Sequence, residues 1–327
     1  MSQDEKLRWG ILGTGMIANK FAAEIPDCGR AELAAVASRQ LDKARAFVEK
    51  HSGTPFGSYE ELLENSDVDA IYISLPNGMH REWTLAALEA GKHVLCEKPL
   101  AATARQVEQL FDAAESADRC LMEAFMYRCF PRVQRAIELV RGGALGEVRL
   151  IRSNFSFGRE ADRRDARYQA DQAGGALMDV GCYCVNFSRA LLGSEPTEVH
   201  AIAHMHPFGV DDYAAGTLRF GDVTLATFTC GMTVHSDWTT FIAGTEGHLA
   251  IENPWLGDGP FTLTSFSSGE TEVIETAACC GPYALEMEHF AAVVMDGESP
   301  LVTRQDSVGN MQVLDQLRTQ VGVPIPE

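Results

Sequence analysis

The sequence predicts an α/β N-terminal domain with a doubly wound parallel sheet, and a C-terminal α+β domain with an open, mainly antiparallel sheet. In residues 1–124, short apolar runs alternate with helical patterns, which is typical of parallel strands joined by helices. In residues 125–327, strand-like runs follow one another over short connections, which is typical of antiparallel pairing. We therefore place the boundary between the two domains near Phe125.

The first apolar strand, residues 7–12, runs directly into a glycine-rich fingerprint of the form G-x-G-x-x-A. Gly13 permits a tight turn, Gly15 lets the backbone approach a pyrophosphate, and Ala18 lets the next helix pack closely on the strand. The amino end of that helix directs free N–H groups towards phosphate oxygens. The pattern therefore predicts a dinucleotide site. Its candidate cofactor contacts are Gly13, Thr14, Gly15, Met16 and Ile17.

The end of the second strand, residues 33–38, indicates which dinucleotide binds. Sites that prefer NAD usually carry an acidic residue there, which binds the ribose hydroxyls. Here Ser38 and Arg39 end the strand, and Lys43 follows one turn later. These side chains can donate to a 2′-phosphate, which a carboxylate would repel. We predict a preference for NADP with NAD possible, and an exposed arginine in a site that still prefers NAD is the alternative.

Two further strands of the first domain end in residues suited to a binding site. The apolar run 70–75 is followed by the loop 76–80, and a later strand ends in Glu97, Lys98 and Pro99. Ligands of open α/β sheets bind at the carboxyl ends of the strands, so Lys98 is placed to meet the reacting end of a cofactor. The alternative interpretation is a surface lysine that follows a strand.

The second half of the chain opens with a helical pattern around Ile137 and then changes to strand periodicity. Residues 174–183 begin another helix, and two helical patterns, around Phe290 and around Met311, close the chain. The predicted strands span residues 148–155, 198–206, 214–220, 223–231, 239–243, 248–252 and 261–267.

Asp179 and Tyr183 are four residues apart, so on a helix they share one face. A tyrosine can exchange protons, but with an ordinary pKa of roughly 10 it is a poor base at neutral pH. A nearby ammonium group such as that of Lys98 would stabilise the phenolate, and Asp179 would orient either group. These residue types suit an alcohol dehydrogenase. The alternative is that Asp179 caps a helix and that Tyr183 is a half-buried core residue.

The composition limits the class of protein. The chain has 327 residues with 46% apolar and 22% charged residues, which is ordinary for a globular protein. A net charge of −19 disfavours nucleic acid and anionic membranes as partners, because both need a basic surface. No apolar run reaches the ~18 residues of a membrane span. Residues 1–8 lack the apolar stretch of a secretory leader, so we predict a cytoplasmic protein.

The cysteines and histidines do not form a recognisable metal or disulfide pattern. Nine cysteines at irregular spacing, without a C-x-x-C pair, predict reduced thiols and no structural disulfide. His204 and His206 would share one face of a strand, but no third ligand is near them in sequence, so no metal site is predicted. We interpret Asp211 and Asp212 as a solvated turn before a strand.

Five motifs occur in an order that resembles one family of oxidoreductases. They are GILGTGMIA at 10–18, PNGMH at 76–80, CEKP at 96–99, GGALMDVGCY at 174–183 and GTEGHLAI at 244–251. Together they resemble the Gfo/Idh/MocA family over nearly the whole chain. The resemblance implies an N-terminal Rossmann domain and a C-terminal domain whose open sheet often forms a subunit interface, so we expect a homodimer or homotetramer.

The resemblance also implies roles for single residues. Lys98 matches the lysine of the family's E-K-P motif, which contacts both nicotinamide and substrate. Asp179 matches the aspartate of the family's G-G-x-x-x-D-x-G motif. The family's Pro-Asn-x-x-His loop holds the nicotinamide and ribose. Further candidate cofactor contacts are therefore Leu75, Pro76, Asn77 and His80, together with Glu97.

One position departs from the common family pattern. Many members carry a histidine two residues after the last glycine of that motif, where this chain has Tyr183. The tyrosine resembles the branch of dimeric dihydrodiol dehydrogenases, NADP-dependent D-xylose dehydrogenases and glucose–fructose oxidoreductases. Residues 123–128 resemble the same branch, which implies that Arg128 contacts cofactor or substrate. Arg167 matches a family arginine that usually follows a tryptophan, although Ala166 precedes it here.

These patterns predict an NADP-dependent oxidoreductase that transfers a hydride between nicotinamide and a hydroxyl or hemiacetal carbon of a sugar or related cyclic diol. The predicted catalytic residues are Lys98, Asp179 and Tyr183. Two alternatives stay open, an NAD-retaining glycoside hydrolase that acts by transient oxidation and a non-catalytic NADP-binding sensor. The particular substrate, the physiological direction and the choice between dimer and tetramer stay open as well.

Overall fold

The computed structural model describes residues 6–257 and 259–325. These residues form two compact units, the first from residues 6–101, 105–129 and 279–304, and the second from the remainder. Residues 1–5, on which the expected lack of a secretory leader partly rests, lie outside the described residues.

A parallel sheet organises the first unit. Its strands stand in the order β3-β2-β1-β4-β5-β6, and each neighbouring pair is parallel. This confirms the predicted doubly wound sheet, although the sequence did not indicate the short strand β3. The strands are β1 (Leu7–Leu12), β2 (Ala31–Ala37), β3 (Thr54–Phe56), β4 (Ala70–Ile73), β5 (His93–Glu97) and β6 (Leu121–Ala124).

The α-helices of the described chain follow the sequence patterns closely. The Ser58 hydroxyl accepts the Glu61 N–H at 3.1 Å and so caps the third helix, as a capping serine does. In chain order the helices are α1 (Met16–Glu24), α2 (Leu41–His51), α3 (Tyr59–Leu63), α4 (Asn77–Glu89), α5 (Ala104–Ala117), α6 (Pro131–Arg141), α7 (Cys182–Leu192), α8 (Pro282–Asp296) and α9 (Arg304–Val321).

Aromatic rings form the centre of the first unit's core. Trp9 of β1 is fully buried, with ring centroids 5.3 Å from Phe21 of α1 and 5.2 Å from Phe290 of α8. Phe21 also stacks on Tyr72 of β4 at 3.7 Å. Helix α8 therefore packs on the sheet of the first unit, although more than 150 residues of sequence separate it from β6.

A mixed sheet organises the second unit. Its order is β14-β13-β12-β11-β7-β10-β9-β8, and β7 pairs with β10 in parallel while the other neighbouring pairs are antiparallel. The predicted, mainly antiparallel sheet is confirmed, and β14 is an addition. The strands are β7 (Val148–Ser156), β8 (Glu198–Met205), β9 (Asp211–Phe220), β10 (Thr224–Gly231), β11 (Thr239–Gly244), β12 (Gly247–Glu252), β13 (Phe261–Ser265) and β14 (Thr271–Ile274).

The two faces of this second sheet differ in exposure. Alternate residues of β9 and β10, such as Leu218 and Phe228, are buried on one face, because successive side chains of a strand point to opposite sides. The other face exposes apolar side chains, with Ile202 77% and Tyr213 43% accessible. This uncovered face of β8, β9, β10 and β7 is called the outer face below.

Two further observations bear on the predictions from composition. All nine cysteines carry free thiols. Among residues 6–257 and 259–325, no helix is long and apolar enough to cross a membrane.

Candidate functional site

The carboxyl ends of four neighbouring strands line up in the first unit. Leu12 at the end of β1 pairs with Ala37 of β2 and with Ile73 of β4, and Ile73 pairs with Cys96 of β5. The fingerprint turn, Ser38, the loop after β4 and Lys98 therefore leave the sheet along one edge. In this strand order the crevice at that edge, where the connections reverse direction, is where dinucleotides bind.

The turn after β1 fits a pyrophosphate. Gly13 has φ +103°, and a Cβ at this position would lie 3.2 Å from the side chains of Leu75 and Ser74. A Cβ at Gly15, by contrast, would meet no heavy atom of the described residues within 4 Å, so the space beside this glycine is open. Helix α1 begins at Met16 without a side-chain cap, so its first N–H groups are available to an anion.

The residues expected to select the cofactor lie just after β2. Ser38 is buried, and its N–H bonds the carbonyl of Phe56 at 3.2 Å, which ties the strand end to β3. Arg39 is exposed, and its guanidinium interacts with the phenol of Tyr59. Lys43 is exposed near the start of α2. Two cations and a serine hydroxyl at this edge suit a phosphate group.

The loop after β4 is held by a buried histidine. The Nε2 atom of His80 lies 2.8 Å from the Leu75 carbonyl oxygen, and Nδ1 lies 2.8 Å from the Pro99 carbonyl oxygen. Burial lowers the pKa of His80, and the two carbonyl acceptors oppose that effect. His80 thus ties the loop after β4 to the loop after β5. Pro76 and Asn77 follow Leu75 in this loop, at the start of α4.

The acid before Lys98 is anchored from within the sheet. The buried Tyr72 hydroxyl donates to Glu97 Oε1 at 2.6 Å, and the Lys98 N–H donates to Glu97 Oε2 at 3.2 Å. The Lys98–Pro99 peptide bond is cis. Glu97 and Lys98 are half-buried. The Glu97 carboxylate therefore fixes the backbone that carries Lys98.

Arg128 occupies a more enclosed place than a surface contact residue. It belongs to the 3₁₀ turn Met126–Cys129, is 6% exposed, and donates from its guanidinium to the Leu301 carbonyl at 2.8 Å. This bond joins the end of the first sheet to the segment after α8.

In the second unit, Asp179 is paired with Arg167. Arg167 Nε donates to Asp179 Oδ2 at 3.0 Å, and Arg167 Nη1 donates to Asp165 Oδ1 at 3.3 Å. The Asp179 charge is the largest cause that raises the pKa of Arg167. The arginine predicted as a cofactor contact is therefore engaged by two carboxylates of its own unit, where it orients Asp179.

The helix that carries Asp179 is not regular. Leu177–Gly181 is a π-helical turn that continues into α7, whereas the sequence predicts a plain helix from residue 174 onward. π-turns inside helices are rare and occur frequently at functional sites. The turn places Asp179 half-buried, one turn before Tyr183.

Tyr183 lies in an aromatic cluster that sequence reasoning did not identify. Its ring meets Phe155 edge-on at 5.2 Å and Trp255 at 5.9 Å, and only 5% of the residue is exposed. Phe187 and Trp238 complete the cluster, each in edge contact with one of those two rings. Phe187 shares α7 with Tyr183, but Phe155 belongs to β7, and Trp238 and Trp255 lie in loops before β11 and after β12, so no local pattern marks the whole cluster. They fix the direction in which the tyrosine ring points.

Two interpretations from the sequence are wrong. Asp211 and Asp212 are the first residues of β9 and are buried, not a solvated turn, because β8 and β9 form a hairpin whose turn lies earlier. His204 and His206 do not share a strand face, because β8 ends at Met205. His204 bonds Asp212 at 2.6 Å, and no group of three or more metal-type ligands occurs among the described residues.

The fold and these side chains define a class of protein, an oxidoreductase that binds a nicotinamide dinucleotide. Residues 7–125 match a family model described as an oxidoreductase family with an NAD-binding Rossmann fold. Residues 133–250 match the GFO/IDH/MocA C-terminal domain. The chain belongs to the Gfo/Idh/MocA family of oxidoreductases, which confirms the predicted family, fold class and enzyme class.

Curated relatives match over nearly their full length. D-xylose 1-dehydrogenase (NADP(+)) 2 of Haloferax volcanii is 39% identical over 316 residues, which cover 95% of this chain and 96% of the relative. Trans-1,2-dihydrobenzene-1,2-diol dehydrogenase of Homo sapiens is 31% identical over 332 residues, with 98% of each chain covered.

Solved structures agree with this assignment. A 3-ketoreductase from Actinomadura kijaniata, in complex with NADP and TDP-benzene, superposes with a TM-score of 0.89 at 31% identity, covering 97% of this chain and 98% of that one. An aldose-aldose oxidoreductase from Caulobacter crescentus superposes with a TM-score of 0.90 at 27% identity and the same coverage.

Proposed function

We propose that this protein is an NADP-dependent dehydrogenase that transfers a hydride between nicotinamide and the hydroxyl or hemiacetal carbon of a sugar or related cyclic diol. The observation that carries the proposal is the common edge formed by the carboxyl ends of β1, β2, β4 and β5. The uncapped amino end of α1 follows β1 at this edge, Ser38 and Arg39 follow β2, and Lys98 follows β5. Relatives named for D-xylose and for a dihydrodiol support the substrate class.

NADP is the proposed cofactor. Ser38 and Arg39 stand where a site for NAD commonly has an acidic residue, and Arg39 is free of any carboxylate partner among the ion pairs of the described residues. The D-xylose relative is named for NADP(+), and the ketoreductase was solved with NADP. We keep NAD as a second, weaker cofactor.

Three side chains are proposed to act on the reacting atoms. Bound NADP supplies the hydride acceptor. Tyr183 takes the hydroxyl proton at its phenolic oxygen in oxidation and returns it in reduction, a transfer that typically contributes ~10²–10⁴-fold to the rate. Lys98 supplies a positive charge that stabilises the phenolate form of Tyr183, which is the form that accepts the hydroxyl proton in oxidation. Asp179, held by Arg167, orients the side chain of Tyr183 or of Lys98.

The other candidate site residues predicted from the sequence are proposed to bind the cofactor and to take no part in the chemical step. Leu75, Pro76 and Asn77 belong to the loop at the sheet edge that His80 holds through the Leu75 carbonyl. Glu97 accepts the backbone N–H of Lys98. The guanidinium groups of Arg128 and Arg167 complete the proposed contacts.

Organisation and location complete the proposal. We divide the chain in sequence into a dinucleotide-binding domain, residues 1–124, and a substrate-binding and oligomerisation domain, residues 125–327, of which residues 279–304 return to the first unit. We propose that copies of the chain pair through the outer face into a homodimer or homotetramer. The exposed Leu150 and Leu225, which pair across β7 and β10, support this because adjacent exposed apolar side chains mark interfaces. The acidic charge supports a protein without a nucleic-acid or membrane partner, and we propose that the protein is cytoplasmic.

The first experiment follows NADPH absorbance with a panel of aldoses and trans-dihydrodiols, in parallel with NAD. We expect turnover with NADP and at least one substrate class. Tyr183→Phe and Lys98→Met should each lose most of kcat while circular dichroism and NADPH binding stay near those of the wild type. A kcat close to that of the wild type in either variant contradicts the catalytic role of the substituted residue.

The same panel separates the alternatives. Tight NADPH binding without turnover of any alcohol contradicts the proposal that the protein is a dehydrogenase. Release of sugar from glycosides without net change in cofactor would then identify a glycoside hydrolase. If no sugar is released, the remaining alternative is a non-catalytic NADP-binding sensor.

A further inference from the structure

The carboxylate of Asp211 is built into the start of the helix that carries Asp179 and Tyr183. Asp211 Oδ2 accepts the Leu177 N–H at 2.7 Å, across 34 residues of sequence. Leu177 is the first residue of the π-turn, and the Asp211 side chain is fully buried. An acidic side chain that accepts from the first turn of a helix both caps it and interacts favourably with its dipole.

The other oxygen of Asp211 explains a glycine of the sequence motif. A Cβ at Gly175 would lie 2.1 Å from Asp211 Oδ1, so no side chain fits beside the carboxylate. Gly175 also has φ +118°, which side-chain-bearing residues rarely adopt. Its carbonyl accepts the Asp179 N–H at 2.9 Å. The carboxylate, the glycine and the turn that holds Asp179 thus fit together as one unit.

The surroundings of Asp211 exclude a direct role in proton exchange with substrate. Its side chain has no exposed surface. The charged or titratable groups that interact with it are Arg318 of α9, its neighbour Asp212 on β9 and Cys230 on β10. Burial raises its pKa to about 7, the Leu177 N–H and the Arg318 charge oppose that rise, and Asp212 adds to it.

We propose that Asp211 is a positioning residue, which holds the π-turn through the Leu177 N–H and thereby sets where Asp179 and Tyr183 stand for hydride transfer. The proposal rests on the proposed function. Displacement of a catalytic group by about 1 Å can cost ~100-fold in rate. Removal of the acceptor should therefore lower kcat more than it affects cofactor binding, because all the proposed nucleotide contacts except Arg167 belong to the first unit.

The test compares Asp211→Ala and Asp211→Asn with a matched control on the next residue, Asp212→Ala. Asparagine keeps a carbonyl oxygen that can accept the Leu177 N–H, whereas alanine does not. Asp212 is an equally buried acid of the same strand, but it bonds His204 and Thr233 instead of the π-turn. All three proteins are assayed for kcat with the substrate found above, and for NADPH affinity by fluorescence titration.

We expect kcat of Asp211→Ala to fall roughly 10- to 100-fold while its Kd for NADPH stays within about twofold of the wild type. Asp211→Asn should recover most of kcat, and Asp212→Ala should stay near the wild type. Equal loss of kcat in the two alanine variants, or wild-type kcat in Asp211→Ala, overturns the proposal.

A second measurement needs no substrate, and peptides of the first unit report whether the alanine variant is destabilised as a whole. Backbone amide exchange, followed by mass spectrometry, should be faster around Leu177 in Asp211→Ala than in Asp211→Asn and the wild type, with peptides of the first unit unchanged. If the wild type turns over no alcohol, the proposed function fails, but this comparison still decides whether Asp211 holds the π-turn. Unchanged exchange in Asp211→Ala contradicts it.

Discussion

The buried carboxyl group of Asp211 makes the stability of the protein depend on pH in a calculable way. Burial raises its pKa from an ordinary 3.8 to about 7 in the folded protein. Between these two values the folded state binds a proton that the unfolded state has lost. Stability contributed by this group therefore falls as the pH rises through that window, since the unfolded state binds fewer protons.

The size of the effect follows from those two pKa values. From pH 6 to pH 8.5, the linkage relation gives a loss of roughly 1.4 kcal/mol for the wild type, because the unfolded carboxyl is ionised throughout while the folded one ionises only near pH 7. Asp211→Asn cannot ionise and lacks this loss. Any fixed cost of the amide beside Gly175 is the same at both pH values and cancels in the comparison.

The assay is urea unfolding of the wild type and of Asp211→Asn at both pH values and constant ionic strength. We expect the free energy of unfolding of the variant, relative to the wild type, to rise by roughly 1.4 kcal/mol between pH 6 and pH 8.5. A difference that stays constant within about 0.3 kcal/mol, or that changes in the opposite direction, refutes the reasoning.

Two further predictions concern the first unit. Arg39→Asp should weaken NADPH binding by about 10- to 100-fold and leave NADH binding nearly unchanged, because a carboxylate repels the 2′-phosphate; equal effects on both cofactors would contradict this, as measured by fluorescence titration. Tyr72→Phe keeps the stack on Phe21 but loses the hydrogen bond to Glu97, so urea unfolding should show a loss of about 1–3 kcal/mol. A loss below about 0.5 kcal/mol would show that this bond contributes little.

The irregular turn has a physical explanation in the contacts around it. A π-turn adds a residue to a helical turn, and it persists only where other contacts stabilise it. Here Asp211 holds its first N–H, Arg167 holds the Asp179 carboxylate and the aromatic cluster holds the Tyr183 ring. Every one of these contacts comes from outside the turn, so the neighbouring elements determine its shape.

The sequence by itself determined the features that depend on neighbouring residues. The G-x-G turn, the apolar runs of the parallel strands and the serine–arginine pair after β2 are all local, and strand ends of a parallel sheet meet at one edge whatever the rest of the chain does. The parallel first sheet, the mainly antiparallel second sheet and the family therefore followed from patterns a few residues long.

Only the tertiary structure decided the contacts between residues that are far apart in sequence. The sequence around Asp211 predicts a solvated turn, because adjacent acidic residues are usually solvated. Nothing in that local sequence indicates that the Leu177 nitrogen lies 2.7 Å from Asp211 Oδ2. Likewise Trp255 and Phe155 carry no pattern that predicts their contact with Tyr183. Hydrophobic periodicity reports which face of an element is buried, but the partner that covers that face depends on how the whole chain packs.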